Sequence, residues 1–272
     1  QARARLKTVL ADAKGKPERV ALPLPKASLA VSDLAISPLS DGPALVCGVS
    51  FGLKSGEAMG VLGTSGCGKS SLVRTLMGIW PARAGVVRLD GSELCHYDPD
   101  RLGMALGYLP QTVELFAGTV AQNIARFRND GEFEDVLKAA QAAGVHELIA
   151  SLPHGYDTPI GPQGAMLSAG QRQRIGLARA LYGDPFLIIL DEPNSNLDAA
   201  GAAACNAAIA GAKARGAIVI IVAHRPTAIA AVDTILFLQN GRQAAFGPKD
   251  AVLASITAQP ASLDIARKAR RK

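Results

Sequence analysis

Aromatic residues are scarce in this chain of 272 residues, which contains seven Phe, four Tyr and one Trp. Apolar residues still make up 49% of the chain, so its core must be built mainly from Ala, Val, Ile and Leu. This composition is typical of an α/β protein and excludes an intrinsically disordered one, which would be low in hydrophobicity. The length suffices for one large domain or two small ones.

Long hydrophobic runs and paired cysteines are also lacking. The most apolar stretch, residues 217–223, is far shorter than the roughly 20 residues of a membrane-spanning helix. The polar, basic start predicts no signal peptide. The four cysteines include no C-x-x-C pair, and we expect no histidine at ligand spacing from them. We therefore expect neither a zinc site nor a disulfide framework, and predict reduced, cytosolic thiols.

Basic charge is lacking on the body of the chain, although the net charge is +6. Residues 1–20 and 261–272 carry +4 each, which leaves −2 on the residues between them. A nucleic-acid-binding protein should carry basic charge on its folded body, so nucleic acid is not an expected partner. The basic ends either lie beside anionic membrane lipid or are solvated tails, and the sequence favours neither.

Apolar strands alternate with helices along most of the chain, which predicts a parallel sheet covered on both faces. Residues 1–28 are predicted to be a basic linker, residues 29–255 a single domain, and residues 256–272 a basic tail. Two apolar segments near the start, 29–36 and 45–53, are predicted to pair as strands. The helical pattern of residues 115–185 interrupts the alternation and predicts a helical subdomain.

A glycine-rich loop follows one of the buried strands and begins a helix. Its sequence matches the phosphate-binding motif G-x-x-x-x-G-K-[ST] in full. The glycines allow successive backbone N–H groups to face a phosphate, and the helix start adds positive potential. Lys69 would reach the β- and γ-phosphates of ATP, and the Ser70 hydroxyl would bind Mg²⁺. The predicted nucleotide-binding residues are Gly63, Thr64, Ser65, Gly66, Cys67, Gly68, Lys69, Ser70 and Ser71.

Two acidic residues, Asp191 and Glu192, end the apolar run 187–190. Carboxylates at the carboxyl end of a strand lie where α/β sheets bind their ligands. We predict that Asp191 holds Mg²⁺ and that Glu192 orients and polarises the attacking water. Strands often end in Asp, so this signal is weak alone, but together with the phosphate-binding loop it predicts a P-loop NTPase.

Residues 167–174, Leu-Ser-Ala-Gly-Gln-Arg-Gln-Arg, resemble the signature segment of ABC transporter ATP-binding domains, usually Leu-Ser-Gly-Gly-Gln. The resemblance covers residues 29–255. It implies an ABC-type P-loop ATPase with a RecA-like parallel core, an N-terminal antiparallel β subdomain and a helical signature subdomain. In that family the signature contacts the γ-phosphate held by the other subunit of a dimer. Here the signature residues are Ser168, Ala169, Gly170 and Gln171, of which Ser168 and Gly170 would make the contact. Ala169 lies at a position less intimate with the phosphate, and we expect its one-methyl departure to be tolerated.

Three further segments match the family in the same order. Gln111 matches the Q-loop glutamine, which senses Mg²⁺ and the water. Ser195 and Asp198 match the D-loop, which crosses the dimer interface. His224 matches the switch histidine, which contacts the γ-phosphate. The resemblance thus implies catalytic roles for Lys69, Gln111, Glu192 and His224, and metal ligation by Ser70, Gln111 and Asp191.

Segments around residues 114–124, 155–161 and 181–198 narrow the resemblance to PrtD-like type I protein-secretion ATPases. That family implies a homodimer formed through an ATP sandwich, on the cytoplasmic face of the bacterial inner membrane. It further implies a transmembrane domain in the same polypeptide, ahead of these residues. A membrane fusion protein, an outer-membrane channel and an exported protein would be its other partners.

One family feature is missing, namely the residue that contacts the adenine base of ATP. ABC domains usually place an aromatic residue near the first strand to stack on adenine, but this region has Ser37 and Pro38. We therefore predict weak discrimination between ATP and GTP.

Two alternatives to an exporter ATPase remain. A soluble ABC ATPase acting on nucleic acid or ribosomes is disfavoured by the acidic body, the exporter-like segment around Phe116 and the absence of a coiled-coil insertion. An inactive scaffold is disfavoured because Lys69, Asp191, Glu192 and His224 are all present.

Overall fold

A computed structural model of the chain describes residues 22–38, 42–128, 130–223 and 229–258. Ten strands form a single mixed sheet in the order β5-β4-β1-β2-β10-β9-β3-β8-β7-β6. The strands are β1 Ser28–Ile36, β2 Val46–Lys54, β3 Ala58–Gly63, β4 Ala84–Leu89, β5 Ser92–Glu93, β6 Leu106–Leu109, β7 Leu187–Asp191, β8 Ile218–Val222, β9 Thr234–Gln239 and β10 Arg242–Pro248. The helices are α1 Lys69–Leu76, α2 Pro99–Ala105, α3 Val120–Ile124, α4 Phe133–Ala142, α5 His146–Ala150, α6 Ala169–Leu181, α7 Ala199–Ala214 and α8 Lys249–Ala258.

The predicted parallel core is confirmed by the pairing of β9, β3, β8, β7 and β6, which is parallel throughout. Every residue of β3, β7 and β8 is buried, as expected for strands covered on both faces. Alternate residues of β8 pack into two different hydrophobic cores, one on each face of the sheet. Val219 and Ile221 pack with the helices on one face, whereas Ile220 and Val222 pack with α1 and the antiparallel strands on the other.

The predicted antiparallel strands near the start are also confirmed, because β1 pairs antiparallel with both β2 and β4. Their connection to the rest of the sheet was not expected. Strands β9 and β10 form a hairpin turned at Asn240 and Gly241, both with positive φ, as such two-residue turns require. Strand β10 then pairs in parallel with β2, so the two halves form one sheet.

The chain between β6 and β7 forms helices α3 to α6, and Arg126 anchors this helical region to the edge of the sheet. Its guanidinium donates to the carbonyl oxygens of Gly103 and Leu106 at 2.9 Å and of Arg179 at 3.0 Å. Burial, with the nearby charge of Arg179, lowers the pKa of Arg126 to about 10. One side chain thus joins the end of α3 to the ends of α2 and α6.

The segment that leads into β1 is held by Asp90, in the turn between β4 and β5. Its carboxylate accepts the backbone N–H groups of Lys26, Ala27 and Ser28 at 2.7, 2.9 and 2.7 Å. Most of the predicted linker and tail lies outside the described residues, which begin at residue 22 and end at residue 258. Within the described ranges, no helix combines the length and the apolar character needed to cross a bilayer.

Candidate nucleotide-binding site

The glycine-rich loop lies between the end of β3 and the start of α1, as its sequence predicts. A Cβ on Gly63 would lie 2.4 Å from the carbonyl oxygen of Leu238. A Cβ on Gly68, whose φ is +98°, would lie 2.3 Å from a methyl of Val46. Only glycine fits at either position, because both gaps are shorter than any real Cβ contact. The loop therefore brings its backbone close to β9 and β2, which gives it one fixed path.

Lys69 is 7% exposed and its side chain is folded back over the loop. Its ammonium group donates to the carbonyl oxygens of Gly63 and Thr64, both at 2.9 Å. The positive charge is therefore held at the centre of the loop curve. A phosphate group that entered the loop would meet this ammonium group and the start of α1 together.

A cavity of about 340 Å³ opens beside the loop. Residues from five separate segments, including the predicted Gln111, Asp191 and Glu192, meet there. Its lining residues are Leu45, Ser65, Gly66, Gly68, Lys69, Ser70, Ser71, Gln111, Asp191, Glu192 and Val222. The lining includes none of the predicted signature or D-loop residues, and His224 lies outside the described residues.

Asp191 is 4% exposed at the end of β7. Burial, and then the charge of Glu192, raise the pKa of Asp191 to about 6, although Lys69 and Arg74 oppose the shift. Two adjacent carboxylates in a buried site would be stabilised by a cation. Carboxylate, hydroxyl and amide oxygens suit Mg²⁺, and this cavity offers them on Asp191, Ser70 and Gln111. The residues present therefore fit the expected ion.

We predict that Asp191→Asn raises the melting temperature of the nucleotide-free protein by about 2–4 °C at pH 8. The pKa of Asp191 is higher in the folded chain than its ordinary 3.8, so the folded chain binds more protons between about pH 4 and pH 6. Stability is then lost as the pH rises through this window, and the amide avoids that loss.

Thermal unfolding of both proteins at pH 4.5 and pH 8 is the measurement, with the exposed Asp100→Asn as matched control. The gain should be larger at pH 8 than at pH 4.5. A variant that melts below the wild type at pH 8 would contradict a buried, uncompensated charge at Asp191.

Glu192 has a strained backbone, since its φ of 52° is in a region that costs a residue with a side chain roughly 1–2 kcal/mol. Hydrogen bonds hold it there: its N–H donates to the carbonyl oxygen of Val222 at 2.9 Å, and its own carbonyl oxygen accepts from Ser195 N at 3.2 Å. Its carboxylate accepts from Gln111 Nε2 at 3.1 Å. The strain thus places the carboxylate beside Gln111 in the cavity.

The signature segment forms the start of α6, which Ser168 caps. The Ser168 hydroxyl accepts from Gln171 N at 3.2 Å, and Gln171 Oε1 accepts from Ser168 N at 2.8 Å. Ser168 and Ala169 are exposed, and neither lines the cavity of its own chain. The extra methyl of Ala169 lies at an exposed position, where it meets little of the fold.

The D-loop, residues 194–198, packs against α6 through a residue that sequence reasoning missed. Gln173 is 2% exposed and donates from Nε2 to the carbonyl oxygen of Pro193 at 2.6 Å. Asp198 caps α7 by accepting from Gly201 N at 2.7 Å. One signal in the sequence could have revealed Gln173: it is a polar residue that lies on the same helical face as Gly170 and the buried Leu177.

The region expected to meet the base contains a second residue that was missed, Leu45. Its side chain is 45% exposed and lines the cavity. Ser37, where the family usually has an aromatic residue, donates its hydroxyl to the carbonyl oxygen of Gly42 at 3.2 Å. Leu45 is thus an exposed apolar side chain at the edge of the cavity, where a base could contact it.

Cysteine and histidine do approach one another elsewhere, against the expectation from their spacing. Ligand atoms of Glu93, Cys95 and His96 lie within 4.8 Å of one another, just after β5. Glu93 already forms an ion pair with Arg88 at 3.0 Å. We assign no metal to this exposed group.

The family model for ABC transporters matches residues 46–195. The type I secretion system ATP-binding protein PrsD of Rhizobium meliloti (strain 1021) is 54% identical over 252 residues, which cover 93% of this chain and 43% of that protein. The cyclolysin secretion/processing ATP-binding protein CyaB of Bordetella pertussis (strain Tohama I) is 37% identical over 238 residues, covering 88% of this chain and 33% of that protein.

A solved structure of a bacterial Atm1-family ABC exporter with ATP bound superposes with a TM-score of 0.82 at 31% identity. It aligns with 93% of this chain, which covers 45% of that one. The chain therefore spans less than half the length of these relatives. The identity to PrsD and CyaB confirms the resemblance to type I secretion ATPases. With the phosphate-binding loop, the two strand-end acids and the signature helix in one fold, the chain belongs to the ABC transporter family, of which it is an ATP-binding domain.

Proposed function

We propose that this chain binds and hydrolyses ATP as the motor of a type I secretion exporter. The convergence of Lys69, Asp191 and Glu192 on one cavity supports the proposal most directly. A phosphate-binding loop, a buried carboxylate for Mg²⁺ and a second carboxylate for water are the parts that phosphoryl transfer to water requires. The names of the relatives, PrsD and CyaB, support the assignment to secretion.

The proposed mechanism depends on positioning and charge. The N–H groups of the phosphate-binding loop and the Lys69 ammonium group bind the triphosphate. Ser70, Gln111 and Asp191 would hold Mg²⁺, which would supply positive charge to neutralise the charge that develops on the phosphate oxygens. Glu192 orients the attacking water and polarises it, and Gln111 holds the Glu192 carboxylate. His224 is proposed to contact the γ-phosphate.

A second copy of the chain completes the proposed site. Ser168 and Gly170 lie outside the lining of the cavity that contains Lys69, so the Ser168 hydroxyl and the Gly170 N–H would serve the nucleotide of a partner subunit. Each ATP would then lie between the phosphate-binding loop of one chain and the signature segment of the other. The residues of the D-loop, Ser195 and Asp198, are proposed to lie at the same interface.

The remaining assignments follow the relatives and stay proposals. Residues 29–255 would form the ATP-binding domain, with its helical subdomain at about 115–185. A transmembrane domain of the same polypeptide would place it on the cytoplasmic face of the bacterial inner membrane. A membrane fusion protein, an outer-membrane channel and an exported protein would complete the system. A soluble ATPase acting on nucleic acid or ribosomes is not favoured, because the named relatives are secretion proteins and exporters.

Two measurements test this proposal in order. Release of phosphate from Mg-ATP by the chain, compared with Lys69→Ala, tests hydrolysis. Export is tested by joining the chain to the membrane-spanning part of a PrsD-type protein and measuring secretion of that system's protein. Hydrolysis without restored secretion would leave the ATPase in place and overturn the assignment to type I secretion. A chain that binds no ATP would overturn both.

Weak base discrimination is a further prediction. Aromatic stacking on a base is worth roughly 1–3 kcal/mol, and Leu45 offers apolar contact without an aromatic face. We expect GTP to bind and to be hydrolysed within about tenfold of ATP, and Leu45→Tyr to bind ATP about tenfold more tightly.

Titration of both nucleotides into the wild type and Leu45→Tyr is the measurement. Ile79→Tyr, an exposed position outside the cavity lining, is the matched control. A strong preference of the wild type for ATP would mean that another residue recognises adenine.

A further inference from the structure

The side-chain amide of Gln173 uses most of its hydrogen-bonding groups to hold the segment that follows β7. Its Nε2 lies 2.6 Å from the carbonyl oxygen of Pro193 and 3.2 Å from that of Glu192. Its Oε1 accepts from Asn196 N at 3.2 Å. Because Gln173 is 2% exposed, loss of its amide would take the donor away from the buried carbonyl oxygen of Pro193, which is costly where water does not reach.

Two neighbours of Gln173 extend the contact along one face of α6. Positions i, i+3 and i+4 of a helix lie on one side, and here they are Gly170, Gln173 and Arg174. A Cβ on Gly170 would lie 3.0 Å from the carbonyl oxygen of Asn196. Arg174 lies 3.9 Å from the Asp198 carboxylate. The start of α6 therefore packs directly against the D-loop.

Gln173 also acts on a strained residue. Glu192 has a positive φ, and such a conformation persists only where its surroundings hold it. The carbonyl group of Glu192 is one of the two that face the Gln173 amide. A shift of α6 would therefore change the support of Glu192 directly, without passing through the phosphate-binding loop.

We propose that Gln173 is a positioning residue that couples the signature segment of a chain to Glu192 of the same chain. The inference rests on the proposed ATP sandwich. There Ser168 would contact the nucleotide of the partner subunit, whereas Glu192 would act on the nucleotide of its own chain. Gln173 thus makes hydrolysis at one site depend on occupation of the other, which is a coupling between two ligands.

The test uses the full chain with Gln173→Met, which keeps the length of the side chain and removes its hydrogen bonds. Gln173→Glu is a second variant, which stays polar but lacks the N–H donors. Gln141→Met on α4, an exposed position, is the matched control. The readouts are ATP turnover against ATP concentration, and amide hydrogen exchange at Ser195 and Asn196 in the absence of nucleotide.

We expect both Gln173 variants to lose about 10- to 100-fold in kcat, with the KM for ATP within about threefold of the wild type. The Hill coefficient, which we expect to lie above 1 in the wild type, should fall to about 1. Exchange at Asn196 should accelerate in Gln173→Met, since its N–H loses its acceptor there, whereas Gln173→Glu keeps an acceptor oxygen. Thermal unfolding checks that the variants remain folded.

The outcomes separate the two proposals. A wild type without hydrolysis would refute the proposed function, and hydrogen exchange would still decide whether Gln173 holds the D-loop. Unchanged exchange at Asn196 in Gln173→Met, or a variant that keeps both kcat and the Hill coefficient of a working wild type, would overturn the role of Gln173. A loss of kcat with the Hill coefficient unchanged would also overturn the coupling.

Discussion

Glu192→Gln is expected to lower ATP turnover by about 10²- to 10⁴-fold while ATP stays bound. The variant keeps the size of the side chain and an oxygen that can accept from Gln111 Nε2, which lies 3.1 Å from Glu192 Oε1. It loses the charge that polarises water. Phosphate release and retention of labelled ATP, measured on the same sample, test both halves of this prediction.

The matched control for this change is Glu134→Gln, at an exposed position on α4, which should hydrolyse ATP as the wild type does. If Glu192→Gln kept near-normal turnover, Glu192 would lose its assigned role. If the variant lost its ATP as well, the carboxylate would be needed for binding.

Formation of a dimer should require Mg-ATP and should fail when Gly170 is replaced by valine. In the Glu192→Gln background, where ATP persists, we expect a monomer without nucleotide and a dimer with it. Gly170→Val should abolish that dimer and lower turnover in an otherwise wild-type chain by about 100-fold. Its Cβ would press on the carbonyl oxygen of Asn196, 3.0 Å away, and its methyl groups would stand at the signature N–H groups.

Sedimentation with and without Mg-ATP provides the measurement. Gly103→Val, on α2, is the matched control because a Cβ there meets nothing within 4 Å. A dimer of equal strength in both conditions would contradict the ATP sandwich. The same holds if Gly170→Val leaves hydrolysis intact.

The structure of the site could be predicted from the sequence wherever it depends on residues close together along the chain. The glycine-rich loop between a buried strand and a helix has one plausible structure, and the structure has it between β3 and α1. The strand ending at Asp191 was equally clear, because an apolar run with two acids specifies both its burial and its end. The predicted parallel order then brings these strand ends to one edge of the sheet.

Contacts between segments that are far apart along the chain could not be predicted from the sequence. The pairing of β10 with β2 joins residues about 195 positions apart along the chain, and no pattern in either strand specifies its partner. Gln173 looked like one more polar helix residue until its contact with Pro193 was seen. The raised pKa of Asp191 likewise depends on burial under segments that are remote in sequence.

The three N–H groups bound by Asp90 set a practical limit on how far the chain can be shortened from its start. A chain cut before Lys26 would keep all three donors, and a newly created ammonium group near Asp90 would add an attractive charge. A chain cut after Ser28 would lack all three donors, and the turn between β4 and β5 would lose the segment that it binds. Residue 26 is thus the latest start that keeps the three donors, and a start at Leu22 also keeps the contacts of Leu22 and Leu24 with the core.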